Sequence, residues 1–167
     1  TTSMFVIAAA GVKIAKHGNR AVTRRSSSAD TLEALGVRLE QTPEQLVTAL
    51  KKVGIAFLFA RSHHPAMKFV VPIRAELKAR TVFNILGPLT NPASANRQVL
   101  GVFSPKFVEP LAGVLNALGT ERALVVHGDG MDDLTVSGET HITEVVNGTL
   151  KSYTLTPEEV GLKRYNR

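Results

Sequence analysis

Short apolar runs alternate along this chain with segments of helical spacing. The strand-like runs lie at positions 12–15, 55–60, 98–103 and 123–126. The helical segments lie at positions 4–10, 32–35, 46–53 and 107–118, and each is followed by a glycine. The alternation predicts an α/β fold with a largely parallel central sheet flanked by helices. The helix at 4–10 is apolar throughout and is expected to be buried.

Capping and turn residues mark several element boundaries. Thr42 and Gln45 bracket a capping box that starts the helix at 46–53. Either Ser28 or Asp30 is expected to open the short helix at 32–35. Asn147-Gly148 predicts a two-residue turn and hence an antiparallel hairpin near the C-terminus. A further helix start follows the hairpin at 156–159, and the chain barely continues it.

Composition places the chain among ordinary globular proteins. Its 167 residues suit one domain with a sizeable core. The lack of cysteine excludes a disulfide framework and a thiolate metal site. No run approaches the roughly 18 apolar residues that a membrane span requires. We therefore predict a cytoplasmic protein without a membrane partner.

The net charge of +6 admits an anionic substrate, nucleic acid or an acidic membrane as partner. Five cations fall within positions 13–25, which favours a local anion site, although a solvated basic face is the common alternative. Two tyrosines and no tryptophan offer few platforms for stacking bases. Nucleic acid is therefore the weaker prediction.

The basic run at 16–20 directly follows a predicted strand, which is where ligands collect in α/β sheets. Lys16 can neutralise a phosphate, and the Asn19 amide both donates and accepts hydrogen bonds. Gly18 permits a tight turn that exposes backbone N–H groups to an anion. The alternative is a basic surface turn without a ligand, and His17 alone is more often a packed histidine than a catalytic base.

Three serines at 26–28 precede the short helix and form a plausible phosphate cradle beside Arg25. Serines are also common helix caps, so the pattern alone does not decide between the two. Two other segments are candidates for a pocket. Arg74 lies on a predicted helix, where a surface charge is the alternative, and the turn-rich loop at 87–92 has a rigid backbone that can wall a pocket.

A glycine-containing acidic loop at 127–133 follows a buried strand and carries Asp129, Asp132 and Asp133. Adjacent carboxylates suit Mg²⁺, which takes one or two carboxylates together with water and phosphate oxygens. An acidic loop without a metal is the alternative.

Four motifs occur in an order found in one known family. They are Lys16-His17-Gly18-Asn19-Arg20, Ser28-Ala29-Asp30, His63-His64-Pro65-Ala66-Met67-Lys68 and Asn84-Ile85-Leu86-Gly87-Pro88-Leu89-Thr90-Asn91-Pro92. With them the chain resembles the anthranilate phosphoribosyltransferases over nearly its whole length. The resemblance implies transfer of the phosphoribosyl group from phosphoribosyl pyrophosphate (PRPP) to anthranilate, with Mg²⁺, in tryptophan biosynthesis. It also implies a homodimer built from a small helical domain and a large α/β domain of the nucleoside phosphorylase/phosphoribosyltransferase type.

The resemblance assigns the PRPP site residue by residue. Lys16 and Asn19 would face the junction between PRPP and anthranilate, with Lys16 as a catalytic residue. Ser28 would hold a PRPP phosphate, and Arg25 and Ser26 would lie beside it.

The anthranilate site follows in the same way. His17 and Asn19 would lie close to anthranilate. Arg74 would engage its carboxylate as a second catalytic residue, and Pro88 would line its entry path.

Asp132 and Asp133 match the family's acidic pair for Mg²⁺, although the family has glutamate where Asp133 stands. The family also has glycine where Ser27 stands. Its glycine-rich PRPP loop is expected before Thr1 and its domain continues after Arg167. We therefore predict that residues 1–167 are a partial α/β catalytic domain, truncated at both ends, with the helical dimerisation domain largely absent. Such a piece is expected to be inactive alone.

Two alternatives stay open. A pyrimidine nucleoside phosphorylase-like enzyme shares the fold but lacks the continuation at 17–20 and the loop at 87–92. A non-catalytic relative that binds nucleic acid through its basic surface would lose affinity steeply with salt.

Overall fold

A computed structural model describes residues 1–20, 27–77, 79 and 81–166. The chain forms two compact units, Thr1–Ser94 and Ala95–Arg167. No helix in the described residues is long and apolar enough to cross a bilayer.

The first unit contains six helices and two strands among its described residues. In chain order they are α1 (Thr2–Ala9), β1 (Ile14–Gly18), α2 (Ser28–Ala34), α3 (Pro43–Lys52), β2 (Ile55–Phe59), α4 (Ala60–His63), α5 (Val71–Leu77) and α6 (Phe83–Leu86). Two 3₁₀ turns lie between and after the last helices, at Pro65–Phe69 and Gly87–Leu89.

Strands β1 and β2 form a parallel pair in which Lys16, His17 and Gly18 stand opposite the last three residues of β2. Strand β2 is apolar on both faces because each face is covered. Phe57 and Phe59 pack with residues of α1 and α2, whereas Ala56 and Leu58 pack with Leu46 of α3 and its neighbours. The continuous apolar run that predicted a two-sided strand is thereby explained.

The second unit is a four-stranded sheet with one long helix. Its elements are β3 (Arg97–Gly101), α7 (Val108–Ala117), β4 (Arg122–Gly128), β5 (Thr140–Val146) and β6 (Thr149–Leu155), with 3₁₀ turns at Pro105–Phe107 and Glu158–Val160. The strand order is β3-β4-β5-β6; the first pair is parallel and the next two are antiparallel. Helix α7 buries Leu111 and Leu115 in this unit, where Val125 and Val145 are also buried.

The predicted fold class is confirmed, with parallel strand pairs, covering helices and the C-terminal hairpin at Asn147-Gly148. The expected burial of the first helix is wrong. Helix α1 is apolar on every side, but Met4 alone is buried, while Phe5 and Val6 are exposed. One two-stranded sheet cannot cover the whole circumference of a helix. The last predicted helix start forms only a 3₁₀ turn, which ends at Gly161 with φ 74°.

Candidate functional site

The carboxyl end of β1 carries the first motif. Lys16, His17 and Gly18 are the last three residues of the strand, so the prediction that they follow it as a turn is wrong. Their backbone pairs with β2, so the strand continues through them. Their polar side chains had led to the prediction that the strand ends before Lys16. A Cβ on Gly18 would lie 3.0 Å from the ring of Phe57. Gly18 therefore makes room for a buried aromatic ring, whereas the sequence had predicted a tight turn that exposes N–H groups to an anion.

His17 joins β1 to two distant segments. Its Nδ1 lies 3.1 Å from the carbonyl oxygen of Gly87, and its Nε2 lies 3.1 Å from Nε2 of His64. A carbonyl oxygen only accepts, so Nδ1 of His17 donates; in the neutral ring Nε2 then accepts from the N–H of His64. The two rings meet edge to face, with centroids 5.0 Å apart. The pair fixes which nitrogen of each ring carries the proton.

Burial lowers the pKa of His17, and the neighbouring His64 and, more weakly, His63 lower it further. The hydrogen bond to the Gly87 carbonyl opposes this shift in pKa because it favours a protonated Nδ1. The neutral form of His17 is therefore the one that the folded structure favours.

Acidification is expected to weaken this contact. Because folding lowers the pKa of His17 below its ordinary value, the folded chain binds fewer protons than the unfolded chain under mildly acidic conditions. The free energy of unfolding should fall as the pH drops below about 6.5. Denaturant unfolding between about pH 5 and pH 8 measures this slope. His17→Gln should flatten it, and the exposed-histidine control His141→Gln should not; an unchanged slope in His17→Gln would contradict the assignment.

The loop after α6 is also fastened to β1 by an amide. Asn91 Nδ2 donates to the carbonyl oxygen of Ala15 at 3.0 Å, and its Oδ1 accepts from the backbone N–H of Ala93 at 2.9 Å. Pro88 is exposed in the 3₁₀ turn whose Gly87 carbonyl accepts from His17. The structure thus brings the motifs at 16–20, 63–68 and 84–92 together.

Arg20 ties the end of β1 to α2. Its guanidinium donates to both carboxylate oxygens of Glu33, at 2.5 and 2.7 Å, and Asp30 lies 3.8 Å away. The hydrogen bond from Arg20 lowers the pKa of Glu33. Asn19 is exposed, and its Oδ1 accepts from the backbone N–H of Arg20 at 2.9 Å. The Arg20 guanidinium is therefore paired with a carboxylate of this chain. The neighbouring Asn19 amide lies at the surface.

The prediction that Ser28 or Asp30 opens helix α2 is wrong, because the N-cap is Ser27 and Ser28 is the first helical residue. Ser27 is the N-cap, and its backbone N–H donates to Asp30 Oδ2 at 2.8 Å while its Oγ accepts from the Asp30 N–H at 3.4 Å. The Ser28 hydroxyl is half-buried and hydrogen-bonds the Thr1 hydroxyl. Arg25 and Ser26, both predicted to bind PRPP, lie outside the described residues.

Two substitutions of Ser27 test whether its side chain stabilises α2 as the N-cap. Ser27→Ala is expected to lower the free energy of unfolding by about 1 kcal/mol, whereas Ser27→Gly should cost only a few tenths, because glycine is tolerated at an N-cap. Urea unfolding of both variants measures the difference. Equal losses would show that the capping box does not stabilise α2.

Arg74 lies half-buried on α5, and its guanidinium carbon is 5.9 Å from the ring centroid of Phe83 on α6. A guanidinium over an aromatic face is held in place while its N–H donors stay available at the edge of the group. The packing therefore gives Arg74 a defined position in the first unit.

The acidic loop belongs to the second unit and crosses the end of β3 and β4. A Cβ on Gly101 would lie 1.8 Å from the Asp132 carbonyl oxygen, and one on Gly128 would lie 2.8 Å from that of Asp133. The two glycines therefore let the backbone of the acidic pair rest on the sheet. Both carboxylates are exposed, and Asp133 Oδ1 accepts from the backbone N–H of Leu134 at 3.0 Å.

Two adjacent exposed carboxylates fit Mg²⁺ of the kind that phosphate oxygens and water complete. In the described part of the chain, no three histidine, aspartate or glutamate side chains come together as a closed metal site.

Sequence reasoning missed His64 and Asn91 as site residues. Both lie inside motifs that were recognised, yet only the fold shows that their side chains contact His17 and Ala15. The motifs could therefore have pointed to both residues. The contacts themselves join residues 47 and 76 positions apart, and nothing in the sequence indicates them.

Comparison with known proteins places these features in context. The family described as "Glycosyl transferase family, a/b domain" matches residues 1–167. An anthranilate phosphoribosyltransferase of Rubrobacter xylanophilus is 58% identical over 166 residues, which cover 99% of this chain and 48% of that protein. The crystal structure of the anthranilate phosphoribosyltransferase from Thermus thermophilus is 57% identical, with TM-score 0.90 over 98% of this chain and 48% of that one.

A more distant structure is the Saccharomyces cerevisiae anthranilate phosphoribosyltransferase in complex with PRPP and Mg. It is 31% identical with TM-score 0.84, and the match covers 99% of this chain and 46% of that one. The resemblance predicted from the motifs is confirmed by these relatives. The chain spans about half the length of the proteins it matches.

Proposed function

This chain belongs to the glycosyl transferase family with an a/b domain, and from that premise we propose that the protein containing it transfers a phosphoribosyl group from PRPP to anthranilate. The products would be N-(5-phosphoribosyl)anthranilate and pyrophosphate, formed in tryptophan biosynthesis. The main support for this proposal is a relative named as an anthranilate phosphoribosyltransferase, which is 58% identical and matches 99% of this chain. The meeting of three motifs around β1 supports the same proposal.

The proposed PRPP site uses the end of β1 and the start of α2. Lys16 would neutralise charge on the departing pyrophosphate, and Asn19 would hydrogen-bond at the junction of the two substrates. Ser28 would donate its hydroxyl to a phosphate, together with Arg25 and Ser26. Electrostatic stabilisation of a leaving group of this kind is commonly the largest contribution to catalysis.

The proposed anthranilate site uses His17, Asn19, Arg74 and Pro88. Arg74 would pair its planar donors with the anthranilate carboxylate, a geometry that guanidinium matches well. Pro88 would line the entry to the site on the loop that His17 holds through Gly87. His17 would present a neutral ring, which avoids a second cation beside the anthranilate amine.

In the reaction the anthranilate nitrogen attacks C1 of the ribose as the bond from C1 to the pyrophosphate oxygen breaks. The nitrogen then releases one proton. Asp132 and Asp133 would hold Mg²⁺, which supplies charge neutralisation for the pyrophosphate when bound. Because the anthranilate amine is already nucleophilic, alignment of the two substrates contributes more here than removal of a proton by a base.

We also infer that the protein that contains this chain is a homodimer and is located in the cytoplasm. These 167 residues span about half the length of the relatives, and we infer that a polypeptide limited to them would be inactive.

The decisive test uses a chimera. These residues replace the matching 48% of the Thermus thermophilus relative, and loss of anthranilate fluorescence on addition of PRPP and Mg²⁺ is followed. Activity of the folded chimera, with none in the chain alone, is the expected result. A folded, inactive chimera would overturn the proposal and move attention to phosphorolysis of pyrimidine nucleosides or binding of nucleic acid.

A further inference from the structure

We propose that Asp129 is a positioning residue for the carboxylate pair Asp132 and Asp133, and that it acts by bonding Ser137 and not as a metal ligand. The inference rests on the proposed assignment of that pair to Mg²⁺. It adds a role for a third aspartate of the loop, which the proposed mechanism does not use.

Asp129 stands at the tip of a tight turn that begins the acidic loop. Gly128 and Met131 exchange both backbone hydrogen bonds, at 3.1 and 2.8 Å. The two residues between them have left-handed φ, 46° at Asp129 and 75° at Gly130. This combination is a type I′ turn, which aspartate followed by glycine favours. The turn fixes where the segment leading to the carboxylate pair leaves β4.

The Asp129 side chain closes the other end of that segment. The Ser137 hydroxyl donates to Asp129 Oδ2 at 2.6 Å, across eight residues. Because that hydroxyl donates to a carboxylate, its oxygen is free to accept from the Thr135 hydroxyl at 2.7 Å. The Ser137 backbone N–H also donates to Thr135 Oγ1 at 3.0 Å. Hydrogen bonds therefore hold both ends of the segment that carries the carboxylate pair.

The surroundings of Asp129 are built for this contact. A Cβ on Gly138 would lie 3.3 Å from both Cβ and Cγ of Asp129, so the glycine admits the aspartate side chain. The Thr135 N–H donates to Thr140 Oγ1 at 3.2 Å, at the start of β5, and both threonines are buried. The Asp129–Ser137 bond is thus continuous with the sheet, and its loss should loosen the segment that carries the pair.

Such support changes affinity without direct contact. Groups that orient metal ligands typically contribute 10–100-fold to binding, since a mobile pair of carboxylates must be ordered when the metal binds. A ligating Asp129 would contribute through its negative charge. An asparagine side chain at this position is uncharged but still accepts the hydrogen bond from Ser137. It should preserve metal binding if Asp129 is a positioning residue and weaken it if Asp129 is a ligand.

The experiment titrates Mn²⁺, as a probe for Mg²⁺, into the 167-residue chain and follows free Mn²⁺ by electron paramagnetic resonance. Asp129→Ala and Ser137→Ala should each weaken binding by about tenfold. Asp129→Asn keeps an oxygen acceptor for Ser137 and should bind nearly as the unaltered chain does. The double variant Asp129→Ala/Ser137→Ala should bind no more weakly than either single variant, because both remove the same bond.

Equal losses in Asp129→Asn and Asp129→Ala, with Ser137→Ala unaffected, would identify a ligand and overturn the inference. Asp132→Asn/Asp133→Asn tests the premise separately, since it should abolish Mn²⁺ binding. If it does not, or if the unaltered chain binds no Mn²⁺, the proposed metal site fails in this chain.

Amide hydrogen exchange in the metal-free chain tests positioning without metal. Exchange at positions 131–136 should accelerate in Asp129→Ala and stay slow in Asp129→Asn. Unchanged exchange in Asp129→Ala would overturn the positioning role whatever the metal titration shows.

Discussion

Gly101→Ala is expected to lower the free energy of unfolding of the second unit by about 3 kcal/mol, because the added methyl group has no space. Its Cβ would lie 1.8 Å from the Asp132 carbonyl oxygen and 2.5 Å from the carbonyl carbon. Both are backbone atoms, so relief requires the whole acidic loop to leave the sheet. Denaturant unfolding measures the loss, and weaker Mn²⁺ binding should accompany it.

Gly113→Ala is the matched control. Gly113 lies inside α7, and a Cβ there meets nothing within 4 Å. Alanine has the higher helix propensity, so this variant should be more stable by roughly 0.5–1 kcal/mol. If Gly101→Ala unfolds at the same denaturant concentration as the unaltered chain, the acidic loop does not rest on Gly101 as described.

Lys16→Ala in the active chimera is expected to lower kcat/KM for phosphoribosyl transfer by about 100-fold or more, the usual loss when a group that stabilises developing charge is removed. The charge on pyrophosphate grows as its bond to C1 breaks, so kcat should fall along with kcat/KM. Steady-state fluorescence assays over a range of PRPP concentrations separate the two constants.

Lys13→Ala removes the same charge from an exposed position just before β1 and serves as the control. It should leave both constants nearly unchanged, since exposed charges at a distance are screened by salt. Equal effects of the two substitutions would mean that Lys16 contributes only to the general basic field, and its proposed role would be withdrawn.

Some features could be predicted because they depend on a few neighbouring residues. The capping box of Thr42 and Gln45 starts α3 where expected, with bonds of 3.0 and 3.3 Å. Asn147 and Gly148 have φ 46° and 88°, the left-handed pair that their turn requires. Local hydrogen bonding and steric limits on φ decide both features, and both are present in the sequence.

Other predictions failed because they ignored a partner strand. Strand β1 continues through Lys16, His17 and Gly18 since their backbone pairs with β2, although their side chains indicated a loop. Gly18 was assigned to a turn for the same reason, whereas the ring of Phe57 explains it.

The sequence by itself determined the α/β class, the start of α3, the hairpin and the motifs that carry the family resemblance. Only the tertiary structure decided that His64 contacts His17 and that Asn91 holds the loop to β1. It also decided that Arg20 is paired with Glu33 and that Gly101 supports the acidic pair. Periodicity and capping act over a few residues and leave a pattern in the chain. Side-chain contacts between distant segments depend on strand register and close packing, which no local pattern encodes.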